Sequence, residues 1–184
     1  MTHPFHDIPT GTRPPDRLNA YIEIPRGSRN KYELDKDTGL LRLDRLLYSS
    51  VHYPGDYGFF PQTLAPDGDP LDVLVLTTEP TFPGCLIQVR PVGVFIMEDQ
   101  DGQDEKVLTV PLADPLRRGI RSLNDLPSHF LDEVQHFFDI YKELEGVRVR
   151  TAGWEDVHAA REIVMACIEQ YPGREGVSEE DVSG

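Results

Sequence analysis

CLIQVRPVGVFIM (Cys85–Met97) and EKVLTVPL (Glu105–Leu112) are two apolar runs separated only by the polar stretch EDQDGQD (Glu98–Asp104). Apolar runs bounded by turn residues read as strands. Asp101-Gly102 inside the connector is a two-residue turn signal, because a type I′ turn needs positive φ at both centres. Counting outward from it pairs Gln100 with Gln103 and Asp99 with Asp104, which sets two like charges against each other at a hairpin tip.

Further strands lie upstream. LDVLVLT (Leu71–Thr77) is almost continuously apolar, as a strand buried on both faces should be. LNAYIEI (Leu18–Ile24) alternates, with Leu18, Ala20, Ile22 and Ile24 on the inner face. KYEL and LLRLDRLL follow as shorter strands divided by the turn DKDTG, whereas YPGDYGFFP reads as a loop rich in Gly and Pro. The strands come early, and none alternates with a helix as in a βαβ unit. The expected fold is therefore mainly β with α (α+β), a small closed barrel with its helices late in the chain.

Downstream, SHFLDEVQHFFDIYKELEG places Phe130, Val134, Phe137, Phe138, Tyr141 and Leu144 on one stripe of a helix. Ser128 or Asp125 can cap its start and Gly146 can end it. A last helix is expected from about Trp154 to Gln170. The chain divides into a Pro-rich extended arm (1–17), one barrel domain (18–172) and a polar, acidic, disordered tail (173–184).

The formal net charge is −14. Nucleic acid and anionic membranes bind through Lys and Arg, so both are excluded as partners. No apolar run approaches the roughly 20 residues of a membrane helix. The N-terminus lacks the basic and apolar regions of a secretory signal, and Cys85 and Cys167 show no CxxC spacing. Both point to a reduced, cytoplasmic protein.

The acids cluster. APDGDPLDVLVL (Ala65–Leu76) carries Asp67, Asp69 and Asp72 directly before a strand, where an unpaired charge is costly. Carboxylates this dense suit a hard divalent cation, Mg²⁺ or Mn²⁺. The pair Asp99 and Asp104, taken alone, reads as a solvated turn. An EF-hand loop fails, since setting Gly102 at its glycine position puts Met97 first and Leu108 last. There is no P-loop, GxGxxG, HExxH or GxSxG motif. Lys31, Arg45, Lys106 and Lys142, with Tyr53, Tyr57 and Tyr141, would supply cations and hydroxyl donors for phosphate oxygens, the kit of phosphoryl chemistry. A Ca²⁺-binding or subunit-interaction barrel would explain the acids but not these cations. A phosphatase acting on organic esters is a further alternative.

YIEIPRGSRNKYELDKDTG, LDR, YPGDYGF, DGDPLDVLVL, RPVG, DEK and HFFDIYKELE together resemble the soluble inorganic pyrophosphatases of the Mg-dependent single-domain class, in order from about Tyr21 to Trp154. The resemblance implies a five-stranded OB-like closed barrel flanked by two main C-terminal helices. It also implies Mg²⁺-dependent cleavage of pyrophosphate into two phosphates by a metal-bridged water, in the cytoplasm, by a homo-oligomer (a hexamer in bacterial members). Carried over by position, Asp67, Asp72 and Asp104 are metal ligands and Asp69 is the general base. Asp99, with Asp104, would hold the metal that arrives with substrate. Lys31, Glu33, Arg45, Tyr57, Lys106, Tyr141 and Lys142 would contact substrate, with Glu23 and Tyr53 behind them. Gln100 departs from the family pattern, which often has an acid there.

Overall fold

The structure, a computed structural model, describes residues 2–100 and 102–173. Among the described residues nine strands are formed: β1 (Leu18–Ile24), β2 (Asn30–Leu34), β3 (Leu41–Leu46), β4 (Asp56–Phe59), β5 (Asp72–Val75), β6 (Leu86–Asp99), β7 (Gly102–Gln103), β8 (Lys106–Pro111) and β9 (Arg150–Glu155). Two α-helices follow the barrel strands, α1 (Ser128–Ile140) and α2 (Val157–Gln170). Strands β1, β4, β5, β8 and β6 pair in that order, and β6 pairs back onto β1, which closes a five-stranded ring. The mixed α+β barrel with late helices is the architecture the strand pattern predicts.

Strand β5 lies inside this ring, antiparallel to β4 and parallel to β8, so both of its edges are paired. Val73 and Val75 join one apolar core and Leu74 the other, which explains why the sequence runs apolar without alternation. One core is closed by Val134, Phe137 and Phe138 from α1 and by Tyr141 just after it. The other is closed by Ala160, Val164 and Cys167 from α2. The fourteen-residue β6 serves β1 with its first half and β9 with its second.

YPGDYGFFP is not all loop. Residues Asp56–Phe59 form β4, buried throughout. Gly58 is the reason a Gly-rich segment is a strand here: a Cβ at this position would lie 1.9 Å from the Tyr21 carbonyl oxygen across the pair. Gly58→Ala is therefore expected to destabilise the protein by about 3 kcal/mol or more, read by urea unfolding. A loss below about 1 kcal/mol would mean that β1 can retreat without opening the ring.

Other expectations shift. The hairpin register differs by two residues from the expected one, with Asp99 opposite Gly102 and Glu98 opposite Gln103. Asp104 is thereby freed from Asp99, its N–H donating to the Met97 carbonyl at 2.9 Å. Helix α1 stops at Ile140, a 3₁₀ turn spans Glu143–Glu145, and Gly146 closes it at φ 78°. Leu144 consequently leaves the stripe and is exposed. Neither expected side chain caps α1: its N-cap is Pro127, and Asp125 instead accepts from the backbone N–H groups of Arg121 and Ser122. Trp154 belongs to β9, and α2 begins after Asp156, whose carboxylate caps it by accepting from His158 and Ala159. The acidic tail beyond residue 173 lies outside the described residues. Among the described residues no helix is long and apolar enough to cross a membrane.

Candidate active site

One cleft of about 640 Å³ opens between the β2–β3 hairpin and the ring. The fold brings thirteen of the fourteen predicted site residues to its wall. These are Glu23, Lys31, Glu33, Tyr53, Tyr57, Asp67, Asp69, Asp72, Asp99, Asp104, Lys106, Tyr141 and Lys142. They come from separate elements: β1 and β2, β4 and the segment before it, the 65–70 turn, the paired starts of β5 and β8, the end of β6, the link between β7 and β8, and the turn after α1. Asp72 and Lys106 stand opposite each other in the parallel β5–β8 pair.

The remaining residue, Arg45, does not line the cleft. Its guanidinium binds Glu145 at 2.8 Å and also Asp44, which accepts from Lys31 at 3.3 Å. The structure adds Asp35, Lys36, Asp37 and Arg42 from the β2–β3 hairpin to the wall. DKDTG reads as a plain turn because nothing local shows that Lys36 reaches Asp69, thirty-three residues on, with which it forms an ion pair.

The electrostatics follow from crowding. Lys106 is almost wholly buried and its ammonium binds both Asp72 and Asp104. Burial acts against that charge, but the two carboxylates outweigh it and raise the ammonium above the ordinary lysine range. Burial, reinforced by Asp104, raises the Asp72 carboxyl even beside Lys106, and Tyr57 donates its hydroxyl to the same carboxylate. Asp67 is pushed up to about 6, by burial first and then by Asp69, Asp72 and Asp104. Glu23 is pushed up to about 8, again chiefly by burial, although its carboxylate accepts the Leu34 N–H at 2.7 Å. At the other end of the cleft Lys142 binds Asp99 at 2.7 Å. Gly68, at φ 86°, turns the chain so that the Asp69 N–H donates to Asp67 at 3.0 Å.

The donor set is all hard oxygen: no imidazole or thiol lines this cleft. That chemistry fits Mg²⁺ or Mn²⁺. Among the described residues no three such side chains already enclose an ion-sized point, and Lys106 is the cation shared by Asp72 and Asp104. With nine carboxyl side chains against five cationic ones on its wall, the site carries more acidic groups than its own cations balance.

These shifts set the pH dependence of the metal-free protein. Glu23 and Asp67 keep their protons to higher pH in the folded chain than in the unfolded one. Their contribution is intact below the ordinary carboxylate range. It is lost as pH climbs through about 6 and about 8, because the unfolded chain ionises first. Thermal stability without metal should fall between pH 5 and 8, and Glu23→Gln should flatten the upper part of the fall. A level or rising profile in the wild type would contradict the burial of these acids.

A closed barrel whose cleft sets seven aspartates against lysines and tyrosines fits the class of metal-dependent hydrolases of phosphoryl compounds. The family model described as inorganic pyrophosphatase matches residues 20–172. The inorganic pyrophosphatase of Methanosarcina mazei is 52% identical over 157 residues, covering 85% of this chain and 93% of its own. That of Haloferax volcanii is 48% identical over 172 residues, covering 93% and 97%. The crystal structure of the Thermus thermophilus inorganic pyrophosphatase superposes with a TM-score of 0.89 at 47% identity, covering 92% of this chain and 99% of that one. The chain belongs to the inorganic pyrophosphatase family and is an inorganic diphosphatase, as the resemblance implies.

Proposed function

We propose that the cleft hydrolyses pyrophosphate by direct attack of water, with Asp69 as general base and Mg²⁺ as the metal. The observation that carries this reading is the gathering of Asp67, Asp69, Asp72, Asp99 and Asp104 with Lys31, Lys106 and Lys142 around one space. Asp67, Asp72 and Asp104 would hold the cations used on the water side, and Asp99 with Asp104 the cation that enters with substrate. A bound divalent cation supplies Lewis-acid charge and lowers the pKa of water toward neutrality. Asp69 accepts the proton as the water oxygen bonds to phosphorus and the bridging P–O bond breaks. The electron pair leaves on the second phosphate. Lys31, Lys106 and Lys142 offset the charge gathering there, with Arg45 acting from behind through Asp44, while Tyr57 and Tyr141 orient oxygens by donation. Glu33 and Glu23 hold the Lys31 side of the cleft, and Tyr53 packs beneath Tyr57 at 5.3 Å between ring centres.

We place the enzyme in the cytoplasm as a homo-hexamer. Self-association is supported by exposed Leu40, Leu43, Leu46 and Tyr48 on and beside β3, and is tested by sedimentation. The test of function is phosphate release from pyrophosphate compared with a nitrophenyl phosphate ester, with and without Mg²⁺. Release from pyrophosphate alone, and only with Mg²⁺, is expected. Comparable release from the ester, or metal-independent release, would overturn the substrate or the metal.

A further inference from the structure

Residues 2–17 precede the segment matched by the family model, yet one of them, Phe5, lines the active-site cleft and its neighbours hold loops of the wall. Phe5 is 2% exposed and lines the cleft, packed edge-on against Phe59 and Tyr171. His3 donates from Nε2 to the Lys36 carbonyl at 2.8 Å, and its ring lies 3.0 Å from where a Cβ on Gly39 would stand. The segment thus holds the turn that carries Lys36. It also holds the start of the loop that carries Asp67 and Asp69. Gln62 donates its backbone N–H to the Phe5 carbonyl at 3.0 Å and its side-chain amide to the His6 carbonyl at 2.8 Å. Thr10 donates to the Pro61 carbonyl at 2.8 Å.

Gln62 is the only non-glycine residue with positive φ, 54°, among the described residues. A left-handed backbone without glycine persists only where its surroundings hold it, and three hydrogen bonds tie Gln62 to the N-terminal segment, the third from the Thr10 hydroxyl to its carbonyl. The two loops so anchored meet at the Lys36–Asp69 ion pair, of which the Asp69 side chain is largely exposed. An exposed ion pair adds little to stability, so its use is to fix where the Asp69 carboxylate stands.

We propose that residues 3–10 form a strap that positions Lys36 against Asp69, making Lys36 and His3 positioning residues for the hydrolytic step. This rests on the reading of Asp69 as the base. The strap anchors both sides of the pair, so loosening either side lets the carboxylate drift from the line of attack without removing any group that contacts substrate.

The test compares His3→Ala, His3→Gln, Lys36→Met and Asp69→Asn in the full-length protein with Mg–pyrophosphate. His3→Ala and Lys36→Met should each lower kcat on the order of tenfold while KM stays within about twofold, as for a misplaced rather than a missing group. His3→Gln keeps a donor for the Lys36 carbonyl and should recover most of the loss. Lys36→Met added to Asp69→Asn should cost nothing further, since the group it positions is already disabled. Wild-type kcat in His3→Ala and Lys36→Met, with Asp69→Asn inactive, would overturn the strap and leave the base reading standing. A raised KM at unchanged kcat would make Lys36 a phosphate contact and equally overturn it. Wild-type turnover in Asp69→Asn would remove the base reading and this inference with it.

Discussion

Asp69→Asn lowers turnover on Mg–pyrophosphate by on the order of 10²–10⁴, the contribution of a positioned general base. The amide is nearly isosteric, and the hydrogen bonds that shape this turn use the Asp69 backbone: its N–H to Asp67 and its carbonyl from Ala65. The fold and the other acids of the cleft therefore survive the change. What is lost is proton affinity at one atom, so kcat should fall while KM and the Mg²⁺ concentration for half activity stay close to wild type. A fall confined to KM would assign Asp69 to substrate binding instead.

Lys106→Met carries the largest expected effect on stability. The ammonium is buried between Asp72 and Asp104, and removing it leaves two mostly buried carboxylates with no cation. Breaking a buried ion pair from one side costs about 3–5 kcal/mol. For a chain of this size that is roughly 6–20 °C in Tm. Two consequences separate this from ordinary core damage. Lowering the pH should restore part of the lost stability, because protonated Asp72 needs no partner and its carboxyl is already raised. Added Mg²⁺ should raise Tm more in the variant than in the wild type, since a cation then replaces a missing charge. Equal Mg²⁺ shifts in the two proteins would show that the metal binds away from Lys106.

How much of this was legible in the sequence depends on where the cause of each feature lies. Strands β5, β6 and β8 announce themselves because both faces are covered, and DGDPLD shows its acids because they are adjacent in the chain. Strand β4 does not, since Gly58 is explained only by the Tyr21 backbone against it. The buried Asp56 beside it looks like a turn residue until its bonds from Arg26 and Thr81 are seen. The hairpin register turns on whether Gly102 is at the turn or opens β7, a choice composition leaves open. Strand β9 is hidden because its partner, the second half of β6, is 52 to 61 residues away in the chain. The cleft residues were readable as a set of types. Their partners were not: Lys36 on Asp69, and Arg45 turned to Glu145, are made where the β2–β3 hairpin packs against the 65–70 turn and the turn after α1.

Whether the crowded acids of this cleft gather divalent cations around pyrophosphate is measured directly by anomalous diffraction from crystals soaked with Mn²⁺ and a non-hydrolysable pyrophosphate analogue. Manganese peaks within coordination distance of Asp67, Asp72 and Asp104, with the analogue against Lys31 and Lys142, are the predicted result. Those three carboxylates bare of metal, with Lys106 still bound to Asp72 and Asp104 and the analogue elsewhere, would contradict it.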